Sequence, residues 1–357
     1  MEKRIKKTYI CKDIRTYRIN SSNITGYTPE VGDLGIFEVV KLGKHERMQG
    51  EFKRNITILP GDWIMAAFGT RYATAQFEGY VPANCDTELH ILGAGGTVGV
   101  VTSMHQKFID VGPTTLRFIG QVTNRRGHII NTKKIKKHSL KSFSGEVSGA
   151  TQVILSVGSS MDSGKTTTAA HLVRGLKKKG YKVAFVKLTG TVYTKDCDLN
   201  YDLGADIAVD FGEFGFPSTY MCSESELLDL YESLVLKASV LQPDYIIMEI
   251  ADGLYQRETK ILLKNEAFMK TIAGVIFSAG DSLAAINGVN LLHSWRIKPF
   301  AVSGLLTASP LLMAEVKANL RLPVYTIGEI TEQAEEILGR NTGALIKVTR
   351  RVMRAAS

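Results

Sequence analysis

The chain is poor in the features that staple small or secreted domains. It has four cysteines in 357 residues, Cys11, Cys85, Cys197 and Cys222, and no two of them form a CxxC pair. That excludes a disulfide framework and a thiolate zinc site of ordinary spacing, and points to a reducing compartment. None of the seven histidines has a partner at metal-ligand spacing. No apolar run approaches the roughly 18 residues that a membrane span needs, so no membrane partner is expected. Aromatic residues make up 8% of the chain and do not interleave with the lysines, as they would in a single-strand nucleic-acid binder. The opening "MEKRIKKTYICKDIRTYR" is basic but has no apolar h-region, so a secretory signal is not expected and a cytoplasmic location is.

What the chain does have is a 44% hydrophobic content and a net charge of +9, enough for a sizeable core and a surface that favours anionic partners. Basic residues gather at 3–18, in "NRRGH" (124–128), in "KKIKKHSLK" (133–141) and in "KVTRRVMR" (347–354). The pattern of apolar runs changes along the chain. Residues 1–130 hold short β-branched runs such as "LGIFEVVKL" and "NITILPGDWIMAAF", cut by Gly, Pro and Asp, the pattern of a small all-β barrel or sandwich. The glycines of "LGAGGTVG" (92–99) lack a following helix pattern and are expected as turn or bulge residues. Residues 131–150 are polar and basic and are expected as a linker. Residues 151–357 alternate apolar strands with helices, from "QVILSV" through "PVYTI" to "TEQAEEILG". This predicts an α/β domain, a three-layer parallel sheet covered by helices on both faces, with ligands bound beyond the carboxyl ends of its strands.

The stretch "ILSVGSSMDSGKTTTAAHL" (154–172) carries the chemistry. A strand runs through a small-residue turn into a helix, so backbone N–H groups and the helix dipole face an anion. Residues Gly158, Ser159, Ser160, Met161, Asp162, Ser163, Gly164, Lys165, Thr166 and Thr167 are the expected nucleotide-binding set. Lys165 would serve the β- and γ-phosphates, and the Thr166 hydroxyl Mg²⁺. The spacing is unusual: five residues, not four, separate Gly158 from Gly164-Lys165-Thr166. A metal would need a further carboxylate at a neighbouring strand end. Glu249, closing "DYIIMEI", is the first candidate and Asp252 the second, whereas Asp244 begins that strand and is expected to be structural. Arg257 is expected as an exposed helix-start residue and His171 as a packed or exposed one. The stretch 189–222 is too long for a simple connection and holds Asp196, Asp198, Asp202, Asp206, Asp210 and Glu213.

With its longer loop, this segment resembles the phosphate loop of dethiobiotin synthetase and its relatives, Gly-Thr-Asp-Thr-x-x-Gly-Lys-Thr. The resemblance extends over about residues 153–330. Ser160 stands where that family has Asp, and Asp162 where it commonly has Glu. "VAFVKLTGT" (183–191) is similar to its second strand, which implies a catalytic role for Lys187 and substrate contacts at Thr189 and Gly190. "DYIIMEIADG" (244–253) implies that Glu249 is its metal-linked glutamate. "DSLAAINGVNLL" (281–292) implies a substrate role for Asn287, with Gly288 in place of the family histidine, and "FAVSGLL" (300–306) puts Ser303 where the family reads adenine. The family's acidic metal helper implies Asp202 or Asp206.

The resemblance implies a Mg²⁺-dependent enzyme that uses ATP or GTP to activate or phosphorylate a small carboxylate-like acceptor, with Lys165, Lys187 and Glu249 as its catalytic residues. Two other readings are a nucleotide-switched assembly or binding factor and a polynucleotide 5′-hydroxyl kinase. Against the last, the second strand ends in "VKLTG", without the Asp-x-Gly-Gln of those kinases; a nucleic-acid partner is therefore not favoured. A homodimer is compatible with the sequence.

Overall fold

A computed structural model describes residues 4–22, 26–146 and 151–339. Its contacts divide the chain into two units, the first comprising residues 1–143, 189–195 and 210–233, the second residues 144–188, 196–209 and 234–357.

The first unit contains β1 (Ile5–Lys7), β2 (Arg18–Asn20), β3 (Leu34–Lys41), β4 (Arg47–Gln49), β5 (Asn55–Thr57), β6 (Trp63–Phe68), β7 (Arg71–Tyr72), β8 (Phe77–Tyr80), β9 (Leu89–Gly93), β10 (Thr97–Met104) and β11 (Thr115–Thr123). Strands β6, β3, β11, β9 and β10 neighbour one another in that order, and β10 returns to β6 through Thr97–Ala67 and Val98–Phe68. The ring is closed: the expected all-β unit is a barrel, which has no free edge along its closed stretch. Alternate residues fill it, among them Phe37, Val39, Ile64, Ala66, Phe68, Ile91, Val98, Leu116 and Phe118. The rings of Phe37, Phe68 and Phe118 meet with centroids 5.2–5.7 Å apart, the tilted and edge-on geometry that aromatic quadrupoles favour. Gly93, Gly95 and Gly96 lie at the β9–β10 hairpin, as the missing helix pattern suggests.

Residues 131–150 do not begin as an open linker. Asn131 accepts from the amides of Lys133 and Lys134 and so caps a short helix, α1 (Thr132–Lys136).

The second unit is built on β12 (Gln152–Gly158), α2 (Lys165–Lys178), β13 (Val183–Lys187), α3 (Lys195–Asp202), β14 (Ile207–Asp210), β15 (Tyr245–Glu249), α5 (Arg257–Lys264), α6 (Glu266–Lys270), β16 (Gly274–Ser278), α7 (Ser282–Ser294), β17 (Ala301–Ser303), α8 (Pro310–Asn319) and α9 (Ile327–Gly339), while α4 (Glu224–Ala238) belongs to the first unit up to Ser233 and to the second from Leu234. The sheet order is β14-β13-β15-β12-β16-β17, and the pairs β12–β15, β12–β16, β13–β15 and β16–β17 are parallel. Strands β12 and β15 are almost wholly buried, which explains why they read as continuous apolar runs. Leu172, Val173 and Leu176 of α2 pack with Ile330, Ala334 and Ile337 of α9 over one face. "PVYTI" forms no strand; Val324 makes only an isolated bridge to Val302. Helix α4 begins with a capping box, in which Ser223 accepts from the Glu226 amide at 3.2 Å and the Glu226 carboxylate accepts from the Ser223 amide at 3.0 Å.

Candidate phosphate-binding site

The loop between β12 and α2 is folded tightly on itself. A Cβ on Gly158 would lie 2.2 Å from Ser163 Oγ and 2.6 Å from Lys165 Cγ, so only glycine fits at the turn out of β12. The Ser159 amide donates to the Ser278 carbonyl at 2.9 Å and the Leu305 amide to the Ser163 carbonyl at 3.0 Å. The loop is thereby tied to the ends of β16 and β17. On its other flank, a Cβ on Gly253 would lie 2.3 Å from the Ser159 carbonyl oxygen; the chain after β15 passes directly against the loop. No side chain caps α2, whose N-cap is Gly164, so its leading amides have no side-chain acceptor and suit an anion.

Lys187, Glu249 and Asp196 meet at the carboxyl ends of β13 and β15. Register places Ser156, Glu249 and Lys187 side by side. Glu249 Oε1 accepts from Thr166 Oγ1 at 3.0 Å and from Lys187 Nζ at 2.5 Å. Lys187 Nζ also lies 2.7 Å from Asp196 Oδ2, in the first turn of α3. Burial opposes the Lys187 charge, but Asp196 and Glu249 outweigh it and raise the ammonium's pKa. Burial pushes the Glu249 carboxyl up from its usual range, against the pull of Lys187. Lys165 Nζ reaches across the loop to the Ser160 carbonyl at 2.7 Å, and burial lowers its pKa, with Glu249 partly offsetting this. The second carboxylate oxygen, Glu249 Oε2, is buried with no hydrogen-bond partner. An unsatisfied buried carboxylate oxygen is costly. Beside the Thr166 hydroxyl, it fits a divalent cation that prefers oxygen ligands, as Mg²⁺ does.

The second unit has a three-layer parallel α/β fold with a P-loop. Its strand–loop–helix leads from a central parallel strand, with Lys165 and Thr166 at the helix start. No protein-family model matches the chain, and no curated protein does. Solved structures with partial likeness include the signal recognition particle receptor FtsY from Elizabethkingia anophelis, at 16% identity and TM-score 0.36, covering 59% of this chain and 75% of that one. The signal recognition particle 54 kDa protein from Aeropyrum pernix in complex with GDP gives 16% and 0.37, covering 62% and 54%. A DUF1611 family protein from Anabaena variabilis gives 14% and 0.40, covering 57% and 61%. At these scores the likeness decides nothing about chemistry, and it does not single out the dethiobiotin synthetase family.

Several residues named from the resemblance lie elsewhere. Ser303 is fully buried and its hydroxyl donates to the Tyr325 carbonyl at 2.9 Å, so it does not present itself to a base. Asn287 is on the exposed side of α7. Gly288 beside it is required because a Cβ there would lie 2.2 Å from the Phe277 ring, which leaves no room for the family histidine. Thr189 is buried and the Gly190 amide donates to Thr219 Oγ1 at 2.9 Å, both within the first unit. Asp206 binds Lys177 and accepts from the Val183 amide at 2.7 Å. Val183 begins β13, about 13 Å along the strand from Lys187, so Asp206 is at the wrong end of the sheet to hold the metal. Asp202 is exposed in the last turn of α3, at the far end of that helix from Asp196. Asp196, one of the six acids in 189–222, is the acid that reaches the site. Asp244 accepts from the Lys182 amide at 2.8 Å, in keeping with a structural role. His171 contacts Thr331 Oγ1 at 2.8 Å, and Arg257 pairs with the buried Glu258 at 2.6 Å.

Proposed function

We propose that the second unit binds a purine nucleoside triphosphate with Mg²⁺ and hydrolyses it, and that the protein works as a nucleotide-switched binding or assembly factor. The observation that carries the nucleotide reading is the orphaned Glu249 oxygen beside Thr166, at the mouth of a glycine-turned loop crossed by Lys165. Loop amides and Lys165 would hold the β- and γ-phosphates, and Thr166 with Glu249 would hold the metal, which would neutralise charge on the phosphates. Lys187 positions Glu249 and opposes the effect of burial on its carboxyl.

The switch reading is favoured over the small-acceptor kinase or ligase by where the acceptor-side residues lie. Lys187 is engaged by two carboxylates, Asn287 is on an outer helix face, and Ser303 is sealed under Tyr325. The test is phosphate release from ATP and GTP with Mg²⁺, alone and with panels of small carboxylates and amines. Slow turnover indifferent to the panels supports the switch; stoichiometric formation of an acyl phosphate or amide restores the enzyme reading. No nucleotide binding with Mg²⁺ present would sink both.

A further inference from the structure

We propose that Lys44, Arg71 and Lys107 of the first unit form a second anion site, which takes the phosphate or carboxylate group of a small acidic molecule. This inference stands on the first unit alone and is independent of the nucleotide reading.

Three loops build it. Lys44 follows β3, Arg71 lies on β7 before the turn to β8, and Lys107 lies in the short helical turn Gln106–Phe108 after β10. Backbone bonds hold these loops: the His105 amide donates to the Gln76 carbonyl at 2.8 Å and the Lys44 amide to the Gly112 carbonyl at 2.9 Å. Lys44 Nζ and Arg71 Nη2 both donate to one neutral oxygen, Gln76 Oε1, the arginine at 2.6 Å. Arg71 is held from behind by a bond from Nη1 to the Leu92 carbonyl.

Two like charges sharing one amide oxygen repel one another, and the cost is large when the site is partly dry. The charged neighbours acting on Lys44 are Arg71 and Lys107, both positive. Its other company is aromatic, with the Phe77 and Phe108 ring centroids each 5.1 Å away. Lys107 Nζ stands 5.1 Å from that same Phe108 ring. Beneath them His45 is buried, its ring 6.0 Å from Phe77, and its Nδ1 has no hydrogen-bond partner. Burial, with Lys44 and Arg71 adding to it, keeps that imidazole neutral. An anion beside the Lys44 ammonium would offset the repulsion it meets from Arg71 and Lys107. An oxyanion in place of the Gln76 oxygen would accept from the ammonium and the guanidinium at once, by charge-assisted bonds. Burial and the two neighbouring cations push the Lys44 ammonium down to about 7. A bound anion would reverse that, so binding near neutral pH takes up a proton.

The test is calorimetry on the full chain carrying Lys165→Ala, which removes the P-loop's own phosphate site from the signal. Inorganic phosphate and succinate are titrated separately at pH 7.5. Saturable one-to-one binding of phosphate alone assigns the site to phosphate compounds, of succinate alone to carboxylates, and of both to either. Lys44→Met is expected to weaken binding at least about tenfold and, with succinate, which is fully ionised at this pH, to abolish the dependence of the heat on the buffer's ionisation enthalpy. Lys107→Met, at an exposed position, repeats the affinity test should Lys44→Met fail to fold. Neither anion binding saturably, or full affinity in the methionine variants, would overturn the proposal.

Discussion

Removing the Lys187 ammonium, as in Lys187→Met, should expose how the phosphate site is held together. The substitution keeps an unbranched side chain, one atom shorter, and deletes the ammonium. Glu249 Oε1 then loses a donor at 2.5 Å and Asp196 Oδ2 one at 2.7 Å. Two carboxylates face the same space, one of them only 1% exposed. Breaking a buried pair by deleting one partner costs about 3–5 kcal/mol, because the other charge is left uncompensated. At about 2–4 °C per kcal/mol for a unit of this size, the melting temperature should fall by about 6–20 °C. Glu249→Gln leaves the Lys187–Asp196 pair intact and removes the orphaned Oε2, so its cost should be smaller, about 1–2 kcal/mol. In the double variant the two costs should not add, since the glutamine has no charge for the lost ammonium to compensate. Thermal unfolding of the four proteins measures this cycle. Additive losses, or a Lys187→Met loss below about 1 kcal/mol, would refute the account of the triad.

Three further outcomes follow from other parts of the molecule. Lys165→Ala should leave the unfolding transition in place and weaken nucleotide binding at least about a hundredfold, as loss of charge-assisted contacts to two phosphates implies; equilibrium dialysis reads it. Gly253→Ala brings a Cβ to 2.3 Å from a backbone oxygen of the phosphate loop. It should cost about 1–3 kcal/mol and weaken nucleotide binding with it, whereas wild-type affinity would show that the loop tolerates displacement. Burial, with Glu213 adding to it, pushes the Asp210 carboxyl up from 3.8 to about 6, against the influence of Lys12. The folded state therefore binds this proton more tightly than the unfolded chain does. Its contribution is fully present below pH 3.8 and is lost as pH rises through about 6, a fall of about 3 kcal/mol. Asp210→Asn, which can still accept from the Gly212 amide, should flatten that part of the stability–pH curve.

The phosphate loop was legible in the sequence because its signal is local: an apolar strand, small residues that can turn, and a helix opened by Lys165 and Thr166. The meeting of Glu249 with Thr166 was legible for a related reason, since a carboxylate ending a buried parallel strand can only emerge at the ligand edge of the sheet. Asp196 was not legible, because its approach to Lys187 depends on the chain leaving the sheet after β13 and coming back at α3. The same departure hides the fate of Thr189 and Gly190, which fold with the first unit. Ser303 and Asn287 matched a sequence pattern, but a hydrogen bond to Tyr325 and a half-turn of helix phase, neither visible in the pattern, decide where they point. Barrel closure was equally out of reach, as it rests on two parallel residue pairs between β6 and β10.

Because residues 189–195 and 210–233 belong to the first unit while 144–188 and 196–209 belong to the second, the polypeptide changes unit five times. A ribosome must therefore deliver residue 233 before the barrel's unit has all of its parts, by which time the phosphate loop has already been made. Neither unit can be cut free of the other at a single peptide bond, so a nick at any one place leaves at least one of them divided between the two fragments.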